Sequence, residues 1–311
     1  MSGLGNIGNT CGINSLIQCI NSINILKHII LNCNTNSEVK LSDQFKDVLS
    51  KLNEGYSVTP GACVQQIYKT FSGILNPGEQ LDIGELWMLI GDKFADEYGI
   101  PIHLENSDAI SSQIHKINSG KSSDWLTSIQ GVSLSVTECH HCRNQVVNPE
   151  VFITLSIDFL ETNNDNEANS LPLPVFVSDM IRSSLKIDEL SEWRCDECKQ
   201  VGGRKQSQIY RLAPVLVILL KRFKITERGT IDKIHNPVNI QTELNFDAKC
   251  SYKLKAIGNH FGGYHGGHYT AACVDKNNNW KHYDDNSVSD INPAQLMVNN
   301  HSAYMLFYES I

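Results

Sequence analysis

Apolar residues recur at helical spacing from the start of the chain. Ile13, Leu16, Ile17, Ile20 and Ile23 fall on one face, and the pattern predicts a helix over residues 14–31. Three further helices are predicted over 41–52, 62–71 and 78–98, punctuated by Thr59-Pro60-Gly61 and Asn76-Pro77-Gly78. One or two short helices fit residues 107–129. After Gly131 the period drops to two: Val132, Leu134 and Val136 alternate with polar residues, and Phe152, Thr154, Leu155 and Ile157 read as strand. Residues 161–170 are too polar to bury and read as a loop, and 173–185 fit a short helix. From residue 206 onward strands dominate, at 208–212, 215–223, 254–259, 269–274, 280–284 and 303–308. A helical first half joined to a sheet-rich second half is an α+β arrangement.

Composition narrows the class. The chain has 311 residues, 41% hydrophobic and 19% charged, which suits a folded domain with a substantial core. Its net charge of −8 argues against nucleic acid as a partner and favours a substrate with a basic face. No apolar run reaches membrane-spanning length, and the first motif starts within a few residues of Met1. No leader and no membrane contact are therefore expected, and the setting is read as intracellular, in cytoplasm or nucleus. Ten cysteines are too few for a disulfide scaffold in a chain of this length.

One of those cysteines has the setting of a nucleophile. Cys11 follows a polar, glycine-punctuated loop and opens the first predicted helix, where unpaired N–H groups and the helix dipole favour an anion. Gly5 and Gly8 permit tight turns, and Asn6 and Asn9 supply neutral amide donors. A thiol needs a base, and the base needs an acceptor to orient it. Of eleven histidines, His268 is the strongest candidate, at the start of a strand behind the glycine-rich run 259–267. His260 and His265 share that run, whereas His28, His103 and His115 read as ordinary surface or core residues. Asp284 and Asp285 follow an aromatic strand; neighbours on a strand point to opposite faces, so only one can meet the imidazole.

Cys139-His-His-Cys142 and Cys195-Asp-Glu-Cys198 form a second constellation. Two such knuckles can wrap one tetrahedral Zn²⁺ with four thiolates and no open position, the mark of a structural site. His140 and His141 could substitute for a sulfur. The long gap between the pairs suits two hairpin tips brought together by the fold rather than an autonomous DNA-binding finger. One zinc per chain and no organic cofactor are expected.

These motifs resemble, in order, those of the ubiquitin-specific proteases, papain-like cysteine deubiquitinases. Gly3-Leu4, Asn6, Gly8-Asn9-Thr10-Cys11, Asn14-Ser15 and Gln18 match the family's cysteine box, except that Gly12 replaces its usual aromatic residue. Gly267-His268-Tyr269-Thr270 looks like the histidine box, and Leu219-Leu220-Lys221-Arg222-Phe223 is similar to a buried family strand. The resemblance implies a helical thumb (about 1–128), zinc-bearing β fingers (about 129–213) and a β-rich palm (about 214–311) in one catalytic domain. It implies Cys11 as nucleophile, His268 as base, Asp284 as its orienting acid, Asn6 as oxyanion donor and Asp285 as an assisting acid. It further implies that Gln80, Asp82 and Glu85, with Gly266, Gly267 and Tyr269, hold the arginine-bearing, Gly-Gly-ending tail of ubiquitin. The glycine run becomes a mobile wall over the cleft. Leu81 and Leu86 depart from the family's glutamine and phenylalanine. The activity implied is cleavage after ubiquitin's C-terminal glycine on conjugated proteins or chains, by a monomer. The rival readings are a binding module with a decayed site and a protease for another ubiquitin-like modifier.

Overall fold

The computed structural model describes residues 2–32, 40–104, 107–159, 174–185, 187–247, 250–264 and 266–311. The expected loop at 161–170, His265 and the first residue of the 173–185 helix lie outside them.

The helical part contains α1 (Cys11–Ser22), α2 (Asn24–Asn32), α3 (Leu41–Asn53), α4 (Gly61–Thr70) and α5 (Ile83–Tyr98). Two shorter helices, Ala109–Ile117 and Asp124–Ile129, complete it. The single helix expected over 14–31 is broken at Ile23, whose backbone is extended (φ −87°, ψ 110°). The cause is tertiary. Glu309 accepts from Ile25 N at 2.9 Å and from Asn24 Nδ2 at 3.4 Å, so a carboxylate from the last strand caps a new helix start. The expected 78–98 helix starts later, at Ile83, because Asp82 is its N-cap and accepts from Gly84 N and Glu85 N. Residues 78–82 are thereby left outside the helix, along the cleft.

Among the described residues two larger sheets carry most of the strands, and three two-stranded ladders stand apart from them. A four-stranded antiparallel sheet has the order Gln145–Phe152, Gly131–Cys139, Val201–Arg211, Ile187–Arg194, and both Cys-x-x-Cys pairs cluster at one end of it. The large sheet runs Ser287–Asp290, Trp280–Asp284, Gly266–Val274, Cys250–Gly263, Ala303–Ser310, Val215–Leu220, Leu155–Ile157, with Glu243–Asp247 also pairing with Cys250–Gly263. Its central strands are covered on both faces. Val215, Val217, Met305 and Phe307 pack with the helical core, while Leu216, Ile218, Leu306 and Tyr308 pack in a second cluster. This is why they read as unbroken apolar runs and not as alternation.

The glycine-rich run is not a loop leading into a strand. Cys250–Gly263 and Gly266–Val274 pair from Ala256↔Cys273 to Gly263↔Gly266, so the run is the tip of one long hairpin. Gly267 is required there: a Cβ would lie 2.2 Å from Phe261 O and 2.4 Å from His260 Nε2. His268 thus sits inside the ladder, opposite Phe261, on a more rigid support than a strand edge gives.

Candidate active site

The loop before α1 folds around Asn6. Its Oδ1 accepts from Gly8 N (3.0 Å), Thr10 N (3.3 Å) and Thr10 Oγ1 (3.2 Å), and Gly8 and Asn9 take left-handed conformations (φ +111° and +51°). Glycine and asparagine tolerate that region. The turn delivers Cys11 as the first residue of α1, only 4% exposed. Ser15 Oγ donates to Thr270 O at 2.9 Å, which ties the helix of Cys11 directly to the strand of His268.

Gly12, where the resembled family has an aromatic residue, is explained by crowding. A Cβ would approach Leu81 O to 2.7 Å. The segment before α5 packs hard against the first turn of α1, and this brings Gln80 to the thiol. Gln80 Nε2 lies 3.4 Å from Cys11 Sγ and 2.6 Å from Gly267 O, while Gly267 N donates to Gln80 Oε1 at 2.8 Å. The side-chain amide pairs with the Gly267 main chain as a neighbouring strand would, across the cleft between helices and sheet.

The two adjacent acids divide their work. Asp284 Oδ1 is 2.6 Å from His268 Nε2. Asp285, in a left-handed turn (φ +51°), points to the other side. There its two oxygens accept from Asn6 Nδ2 and Asn14 Nδ2, each at 2.8 Å. Among the described residues only one of the amide's two hydrogens is spent, so Asn6 keeps one N–H donor free. Asn14, buried at 2% exposure, gave no chemical signal in the sequence beyond its place in a motif. His268 Nδ1 has no hydrogen-bond partner, and no hydrogen bond joins His268 to Cys11 among the described residues. The thiol's contact is Gln80 instead.

Asp82 and Tyr269 differ from expectation. Asp82 does not project from a helical face beside Glu85; besides capping α5, it accepts from Tyr304 OH (2.6 Å) and Tyr269 OH (3.2 Å). Tyr269 is 4% exposed and lies in the core beneath the cleft. Glu85, Gly266 and Gly267 are exposed. Of the competing histidines, His260 is buried, and burial and the nearby Lys233 push it down to about 4, so it stays neutral. Two other buried cysteines, Cys19 and Cys63, are poor nucleophiles. Burial pushes Cys63 up to about 12, and burial together with Cys273 raises Cys19.

At the end of the four-stranded sheet the sulfurs of Cys139, Cys142, Cys195 and Cys198 lie within 4.8 Å of one another. Cys139–Cys198 and Cys142–Cys195 are each 3.6 Å apart, near the edge of about 3.8 Å for a tetrahedron with ~2.3 Å bonds. The knuckles are alike: Arg143 N and Lys199 N bond back to Cys139 O and Cys195 O, with φ +59° and +61°. His140 turns to Glu189 and His141 to Val201 O, so neither points to the sulfurs. The donor set fits a closed structural metal site.

Among the described residues no helix is long and apolar enough to cross a membrane. The family described as ubiquitin carboxyl-terminal hydrolase matches residues 2–308. The chain is 26% identical to ubiquitin carboxyl-terminal hydrolase Usp2 of Drosophila melanogaster, over 99% of this chain and 35% of that protein. It is 35% identical to human ubiquitin carboxyl-terminal hydrolase 15 over 40% of this chain and 14% of that one. It therefore spans a minor part of these relatives. Among solved structures it resembles the SAGA DUB module Ubp8/Sgf11/Sus1/Sgf73 bound to ubiquitin aldehyde, with a TM-score of 0.75 and 22% identity. That match covers all of this chain and 70% of the other. With a match over nearly its whole length, this chain belongs to the ubiquitin carboxyl-terminal hydrolase family.

Proposed function

We propose that this chain is a thiol isopeptidase that releases ubiquitin from conjugated proteins or chains. The observation that carries the reading is the 2.6 Å His268–Asp284 bond on a strand that Ser15 ties to the helix of Cys11. Asp284 fixes the imidazole tautomer and stabilises imidazolium, leaving Nδ1 to take the thiol proton. Cys11 attacks the carbonyl of the terminal glycine. Asn6, held by Asp285, donates to the tetrahedral oxyanion. His268 returns the proton to the departing lysine amine, and water hydrolyses the thioester. Gln80 occupies main-chain partners at Gly267 that a Gly-Gly tail needs, so the tail displaces it on entry and His268 closes on Cys11. Catalytic hydrogen bonds that are open without substrate commonly form in this way.

In this reading the helices are the thumb, the four-stranded sheet the fingers and the large sheet the palm, and Cys139, Cys142, Cys195 and Cys198 hold one Zn²⁺ as a brace. A metal there supplies folding energy to the finger ends and stands outside the reaction. Glu85, Gly266 and Gly267 are the tail contacts, while Asp82 and Tyr269 support them from below. Reaction with a ubiquitin C-terminal electrophile tests the assignment: one ubiquitin adds, at Cys11, and Cys11→Ala abolishes it. An adduct at Cys19 or Cys63, or reaction with a different ubiquitin-like electrophile in preference, overturns it.

A further inference from the structure

A cavity of about 430 Å³ opens on the face of the large sheet that carries the His268–Asp284 pair. Phe261, which lines it, is the cross-strand partner of His268. His282, also in its wall, bonds Thr270 Oγ1 at 3.0 Å and lies two residues before Asp284, on the same side of the strand. The cavity is therefore walled by the strand of Asp284 and by the partner strand of His268, although neither of those two side chains lines it.

Its lining is basic in an acidic protein. Lys233, His235, His260, His282 and His301 contribute to the wall, and no aspartate or glutamate does, although the chain carries a net charge of −8. Arg222 stands behind that wall, fully buried, and donates to the carbonyls of Ile234, Asn236, Asn300 and Ala303. Among the described residues no carboxylate pairs with Arg222 or Lys233. Burial holds Arg222 down to about 10, and burial with Arg222 holds Lys233 down to about 8. Lys233 Nζ bonds His260 Nδ1, His260 O and Gly262 O, so both cations are held by neutral groups alone and lend the recess a positive potential.

The imidazoles add directed groups. Among the described residues the His235 imidazole has no hydrogen-bond partner, His301 spends only Nδ1, on His235 O at 2.8 Å, and His282 spends only Nε2. No three of their ligating atoms converge within 4.8 Å, so they do not form a preformed metal site. Free imidazole nitrogens beside fixed positive charge suit a carboxylate.

We propose that this cavity receives an acidic side chain of the protein conjugated to ubiquitin. The inference rests on the function proposed above. The arginine-bearing tail of ubiquitin is the wrong charge for the cavity and the right charge for Glu85, which leaves the other half of the substrate. One carboxylate held by a charge-assisted hydrogen bond is worth about tenfold in kcat/KM.

The test uses ubiquitin joined through a lysine side chain to short peptides that carry either glutamate or glutamine near that lysine. The full chain is expected to cleave the glutamate conjugates about tenfold faster in kcat/KM. In the doubly substituted His235→Glu/His301→Glu chain the ratio falls to one or inverts. A ratio near one in the unsubstituted chain, or an unchanged ratio in the variant, overturns the inference. A ubiquitin amide of a small neutral fluorophore is run alongside, and failure to cleave it counts against the proposed function instead. A readout that needs no activity is the NMR titration of the imidazole signals with a free tetraglutamate peptide. Shifts at His235, His282 and His301 support the site. No shift, or shifts with inorganic phosphate and not with the peptide, refutes it.

Discussion

The division of labour between Asp284 and Asp285 gives the sharpest test of the site. Asp285 is in a left-handed turn (φ +51°), which asparagine tolerates and alanine resists, so Asp285→Asn changes the chemistry with little strain. The substitution replaces one acceptor oxygen with an NH₂ group. Because Asp285 faces two donors, Asn6 Nδ2 and Asn14 Nδ2 at 2.8 Å each, one bond is lost and a donor then faces a donor. A hydrogen bond to a charged group is worth about 1.5–3 kcal/mol, and the exposed Asn6 side takes the lower end. If Asn6 is thereby swung off the oxyanion, the ceiling is the loss of one oxyanion donor, about 10²–10³ in kcat. We expect Asp285→Asn to lower kcat by about 10²-fold, with KM changed only a few-fold. Asp284→Ala, which removes the acceptor of His268, should lower it by as much as ~10⁴. A double-mutant cycle on hydrolysis of a ubiquitin C-terminal amide separates the roles. Asn6→Ala should add little to Asp285→Asn, because both remove the same contact. Additivity of the Asn6 and Asp285 changes, or a larger loss from Asp285→Asn than from Asp284→Ala, refutes the reasoning.

Other outcomes follow from the same geometry. Metal analysis should find one Zn²⁺ per chain, and Cys195→Ser should reduce it and expose the strands around 139–142 and 195–198 to proteolysis; full occupancy in the variant contradicts the four-sulfur site. Asp82→Ala should lower stability in urea by about 1 kcal/mol or more, because it removes a helix cap and the partner of two tyrosines. Glu85→Ala should leave stability alone and raise KM for ubiquitin conjugates, with less effect at high salt; the reverse pattern would restore Asp82 as the tail contact. Glu309→Ala leaves Lys255 unpaired, where the two side chains are 7% and 14% exposed, and uncaps α2. Urea denaturation should register about 3 kcal/mol, and a loss below 1 kcal/mol would show that the cap does not hold the break at Ile23.

Local patterning decided much of this protein. The helical periodicity around Leu16 and Leu49, the alternation after Gly131 and the apolar runs at Val215–Leu220 and near Leu306 specify helices and strands through short-range burial, and the structure keeps them. The motif order also identified the family, since the loop chemistry before Cys11 and the paired knuckles are written in adjacent residues. What the sequence left open depends on partners far apart in the chain. The break at Ile23 is imposed by Glu309, 286 residues on in the last strand. The late start of α5 depends on Asp82, fixed in turn by Tyr304. The glycine run reads as a loop locally and becomes a hairpin only because Gly267 admits the close approach of Phe261 and His260. Gly12 reads as a departure from a motif until Leu81 O fills the space a Cβ would need. Asp284 and Asp285 are equivalent as letters; the positive φ at Asp285 sends one to His268 and the other to Asn6 and Asn14. Short-range burial sets periodicity, and a sequence shows it directly. Capping, close approach and charge pairing are satisfied by groups that only the folded chain brings within about 3 Å.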